Sequence, residues 1–129
     1  MRFFNLTLTP AEADACSADY LEEKSPRGKA ARVLLRIVAV VARMTTEMEE
    51  LKRAENAPSL WRLHADSLLA LLEVASALSE NAARVVTEAS AAGDSAAGET
   101  IKVSLQRLRH RCDLIGDTLA QAASQAQTV

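Results

Sequence analysis

The chain has 129 residues, 49% of them apolar and 25% charged, with a formal net charge of −2 and a pI near 5.7. Aromatic residues at 3%, four glycines and three prolines argue against a β sandwich, barrel or propeller, which needs branched and aromatic strands with frequent turn residues. The apolar share is too high for a disordered chain, and the acidic balance removes the overall electrostatic case for nucleic acid.

The first eight residues read as extended or irregular. Phe3, Leu6 and Leu8 fit one short strand, but no partner strand is evident, so Phe3 or Phe4 is expected to pack on a helix end. Thr9-Pro10-Ala11-Glu12 is a helix start: Thr9 caps, Pro10 takes the first helical position, and Glu12 stands where a capping box needs it. A first, acidic helix is expected to run to about Lys24. Ser25 and Pro26 then start a second helix, expected from about Pro26 to Glu55. Val33, Leu34, Leu35, Ile37, Val38, Val40 and Val41 nearly encircle it, while Lys29, Arg32, Arg36 and Arg43 follow one helical line. A helix with so narrow a polar stripe needs at least two covering neighbours. Its basic first half opposes the helix dipole, which the acids of the first helix are expected to compensate.

Asn56-Ala57-Pro58-Ser59 breaks the chain again. A third helix is expected from Leu60 to Ala91, with Trp61, His64, Leu68, Leu71, Ala75, Leu78, Ala82, Val85 and Ala89 at alternating spacings of three and four, a heptad seam. Asp66, Glu73, Glu80 and Thr87 repeat every seven residues on the opposite face. Leu60, Leu63, Leu69, Leu72 and Val74 widen the apolar surface in the first half only. The clearest turn lies between Gly93 and Gly98. A fourth helix, from Asp94 or Glu99 to about Ala123, carries the seam Ile101, Leu105, Leu108, Cys112, Ile115, Leu119, Ala122 and Ala126.

These elements predict a single all-α domain over residues 1–129: an antiparallel up-down bundle of three long helices, with coiled-coil seams, plus one short N-terminal helix. Residues 1–9 are expected to be irregular and 124–129 frayed. The short helix covers only part of a fourth side. The apolar residues left open, Leu60, Leu63, Leu69 and Val74, are the candidate partner-binding positions. Small alanines in the second half of the third helix would let another chain approach closely, and a homodimer is the economical arrangement.

Cys16 and Cys112 are too few for a disulfide framework and read as small buried apolar groups. His110, Cys112 and Asp113 share no ligand geometry, and no CxxC or HxxxH pair is present, so no metal is expected. Trp61 and Arg107 occupy the positions where a di-iron bundle needs glutamates three residues before His64 and His110. No cofactor or small-molecule substrate is implied. Arg107, Arg109, His110 and Arg111 form the densest basic cluster, an alternative anion site. They fan round the helix without interleaved aromatics, which favours a solvated face pairing with acids of the first or third helix, and makes nucleic acid an unexpected partner. Glu49 and Glu50, beside Lys52 and Arg53, read as a solvated ion-paired face. The longest apolar run, Val33 to Ala42, is broken by Arg36 and falls short of the ~20 residues of a membrane span. Residues 1–8 are too short for a signal core, and a cytoplasmic protein is expected.

His64-Ala65-Asp66, followed by Leu68, Leu71 and Leu72, and a later helix through Leu108, Asp113, Leu114, Ile115, Gly116 and Asp117, resembles the two-helix dimerisation and phosphoacceptor domain of sensor histidine kinases over residues 60–120. The resemblance implies a phosphoacceptor role for His64. The chain departs from that family in having Ala65 where an acidic residue follows the histidine, in lacking the proline beyond it, and in carrying no Gly-rich nucleotide-binding domain. A half-buried structural histidine is the competing expectation. The residues themselves favour a non-enzymatic interaction module of adaptor, chaperone-like or regulatory accessory type, found in bacterial-type systems, that binds a partner helix against an apolar surface.

Overall fold

Helix starts and stops encoded in the sequence lay out the architecture. The computed structural model describes residues 2–3, 6–15 and 24–127. Strands β1 (Arg2–Phe3) and β2 (Leu6–Thr7) are followed by helices α1 (Pro10–Ala15), α2 (Pro26–Arg53), α3 (Pro58–Ala91) and α4 (Ser95–Gln127). The three long helices pack against one another, α1 packs against α2 and α4, and β2 touches α2. The described residues form an all-α bundle of three long helices and one short one.

Each junction has its chemical cause. At α1, Thr9 N–H donates to Glu12 Oε1 (3.0 Å) and Glu12 N–H donates to Thr9 Oγ1 (3.2 Å), a reciprocal capping box. Ser25 caps α2 by accepting from Gly28 N–H at 3.2 Å, with Pro26 next. α3 starts at Pro58, two residues before the expected Leu60, with no side-chain cap on Ala57. It ends in a Schellman motif: Asp94 N–H bonds Ala89 O (2.9 Å), Gly93 N–H bonds Ser90 O (3.1 Å), and Gly93 has φ +83°. α4 continues past Ala123 to Gln127, because Ala and Gln propagate a helix well without tertiary support.

The core is the union of the expected seams. Ile37 and Met44 of α2, Leu68, Ala82 and Ala89 of α3, and Ile101, Leu108 and Ile115 of α4 are fully enclosed. Among the described residues, no buried side-chain nitrogen or oxygen lacks a hydrogen-bond partner.

One expectation needs correction. Residues 2–3 and 6–7 are not irregular but pair as an antiparallel ribbon, Arg2 opposite Thr7 and Phe3 opposite Leu6; the partner strand was hidden in the same eight residues. The seam alanines Ala75, Ala82 and Ala89 are buried inside the bundle, alternating with Leu78 and Val85 so that neighbouring helices interdigitate, while Ala77 and Ala83 in the same part of α3 are exposed. At the basic start of α2, Arg27 Nε meets Asp94 Oδ2 at 2.8 Å and Lys29 Nζ meets Glu88 Oε2 at 3.7 Å, while Asp19, Glu22 and Glu23 of the expected first helix lie outside the described residues. Antiparallel packing brings the end of α3 and the start of α4 to this end of α2. α1 sits on α2 and α4, and among the described residues no helix covers the outer surface of α3, where the open apolar positions were expected. The expected course of the first helix over residues 16–23, Cys16 with it, and the packing of the Phe3 and Phe4 side chains lie outside the described residues.

Candidate partner-binding face

All four apolar positions singled out from the sequence stand in solvent: Leu60 is 52% exposed, Leu63 59%, Leu69 51% and Val74 50%. They do not form one patch. Leu63 and Val74, three turns apart, lie within about 20° of each other round α3, and Leu60 lies within about 60° of both. Leu69 is turned away from them by at least about 120°, toward the α4 flank. Val103 and Leu114 on α4 are also exposed, and nothing in the seam pattern marked them.

Leu63 and Val74 border the groove between α2 and α3. One recess of about 340 Å³ is lined by Arg43 of α2 and by Ser67, Ala70, Leu71 and Val74 of α3. Further along, an open cleft of about 350 Å³ gathers Lys29, Arg32, Arg36 and Arg84, with Asn81 and Glu88. Its cations outnumber its single carboxylate, on a chain of net charge −2. The groove is thus apolar toward the start of α3 and basic toward its end. Arg84 and Asn81 escaped the sequence reading because they join the α2 row only through antiparallel pairing; the α2 row itself was visible as a helical line.

The wall between these walls is pinned by a buried acid. Glu47, with its side chain 9% exposed, accepts from His64 Nδ1–H at 2.7 Å and pairs with Arg43 Nε at 3.3 Å. A carboxylate only accepts, so the ring proton lies on Nδ1 and Nε2 faces away from Glu47. His64 is 18% exposed, a half-buried histidine that ties α3 to α2.

The alternative anion cluster disperses. Arg107 is drawn to Glu12 of α1, donating from one guanidinium nitrogen to both carboxylate oxygens at 3.2 and 3.3 Å. Ser104 Oγ–H adds a 2.7 Å bond. Burial alone pushes the Glu12 carboxyl upward, but the Thr9 N–H, the Ser104 hydroxyl and the Arg107 charge together hold it below its ordinary value. Arg109 and His110 remain exposed and Arg111 is half-buried, on diverging directions. Cys112 is a half-buried free thiol, pushed up by burial and by Asp113. Arg53 pairs with Glu50 at 2.6 Å on the surface. Among the described residues, no group of three or more His, Cys, Asp or Glu is placed to hold a metal ion, and no helix is long and apolar enough to cross a membrane. Compared with known protein families, with curated proteins and with solved structures, the chain gives no match.

Proposed function

We propose that this chain is a non-enzymatic protein–protein interaction module that works through the outer surface of α3 and the α2–α3 groove. The observation that carries this role is the row Leu60, Leu63 and Val74, each at least half exposed beside a basic wall, in a bundle whose seams are otherwise closed. Scattered exposed apolar residues are ordinary on a protein surface; a row bordering a charged groove is the pattern of a recognition surface. A photo-crosslinking residue placed at Leu63 or Val74, in cells that make the protein, is expected to give a discrete adduct. The same residue at Val103, exposed on α4 beside α1, is expected not to give it. Identical adducts at all three sites, or none with the protein folded, would refute the role.

The Glu47–His64 pair favours one second reading, a phosphoacceptor histidine. Glu47 holds the Nδ1 proton, which orients Nε2 as the nucleophile. Phosphoryl transfer from an acyl phosphate would form an N–P bond at Nε2 and break the P–O bond, releasing the carboxylate. Incubation with acetyl phosphate and phosphorus NMR would then show an acid-labile phosphohistidine that disappears in His64→Ala. No signal from the wild-type chain disposes of that reading.

A further inference from the structure

We propose that the α2–α3 groove pairs with the same groove of a second copy of this chain, about a two-fold axis parallel to the helices. The proposal rests on the interaction role above and names one occupant for that surface.

Matched charge spacing argues for it. Lys29, Arg36 and Arg43 repeat every seven residues along the outer wall of α2, and Asp66, Glu73 and Glu80 repeat every seven along the exposed outer face of α3. Rows of opposite sign with one pitch can pair along their length, as flanking charges do in coiled coils. The heights also agree. Arg43 shares a recess with Ser67, Ala70 and Val74, and Arg36 shares a cleft with Asn81 and Arg84, so Arg43 lies within about a turn of Glu73 in height and Arg36 within about a turn of Glu80. A two-fold axis along the helices keeps each residue at its own height while exchanging α2 for α3. It therefore sets Arg43 against Glu73 of the second copy and Arg36 against Glu80 of the second copy, and repeats both pairs by symmetry. Between them the surface offers Leu63 and Val74, with the small Ala70 allowing close approach. Arg84 and Arg32 are the discordant members: the same axis brings Arg84 near Lys29 and Arg32 of the second copy, like-charge contacts.

Sedimentation velocity across a concentration series tests the pairing. The wild-type chain is expected to sediment as a dimer that weakens with added salt. Arg36→Glu with Arg43→Glu should raise the dimer dissociation constant more than about tenfold, since symmetry makes each reversal act twice. Glu73→Lys with Glu80→Lys should do the same, and the four reversals together should restore it to within about threefold. Arg84→Glu should tighten the dimer. Circular dichroism checks that each variant is folded, and all reversed positions are exposed. A monomer at high concentration, or a dimer indifferent to these reversals, overturns the proposal. Either result leaves the crosslinking experiment to decide the interaction role by itself.

Discussion

Glu12 offers the sharpest energetic test of how the bundle is closed. Its carboxylate is 3% exposed and accepts from Thr9 N–H, Ser104 Oγ–H and Arg107. Glu12→Ala leaves a buried Ser104 hydroxyl and the first N–H of the capping box without their acceptor, at about 1–3 kcal/mol each before relaxation. Arg107 is half exposed and recovers water, so its share is below about 1 kcal/mol. Because α1 is short and can shift slightly, we expect about 3 kcal/mol in total. For a chain of this length that is a melting temperature lower by about 10 °C. Thermal unfolding followed by circular dichroism measures it, and a drop below about 3 °C would show that α1 is not held by this acid. The pH dependence gives an independent check. A carboxyl held below its ordinary value of 4.5 stabilises the fold fully above that value, and the contribution is lost as pH falls through the folded-state value. The stability gap between wild type and Glu12→Gln should thus be constant from neutral pH to about pH 5 and shrink below it. A gap that persists undiminished at about pH 2 contradicts the assignment.

Three further outcomes are expected. Leu68→Ala, in a fully buried seam position, should cost about 2–5 kcal/mol in denaturant unfolding at a concentration where the chain is monomeric, whereas Leu63→Ser and Val74→Ser should each stay within about 0.5 kcal/mol there; comparable losses at all three would mean that the chain itself covers this face of α3. Gly93→Ala forces a side chain onto a backbone at φ +83° and should lower stability by about 1 kcal/mol, with no change expected if that residue did not close the helix. In a Cys16→Ser background, iodoacetamide should modify Cys112 at least about tenfold more slowly than a free thiol at neutral pH, reaching appreciable rates only above the ordinary thiol value of 9.0; fast modification of the folded protein would place the thiol at the surface.

Helix period, caps and breaks are local properties, and they were legible residue by residue. Thr9 and Glu12, Ser25 and Pro26, and Gly93 act where the sequence places them, and the seams through Leu68, Ala82, Ile101 and Leu108 are the core. The four exposed positions on α3 were legible too, because they widen the apolar surface beyond what a seam uses. The ribbon of residues 2–7 was missed, since two strands of two residues carry no periodic signal.

What no period encodes is which neighbour settles on which flank. The bundle, not the pattern, sends α1 onto α2 and α4, sets Leu63 and Val74 beside α2, and turns Glu47 toward His64. Spacing along a helix specifies an angle about its own axis; the identity of the element at that angle depends on the handedness and register of packing, to which residues far apart in the chain contribute together. The paired charge rows of α2 and α3 are an instance: each is visible alone, and their common height exists only once the two helices lie side by side.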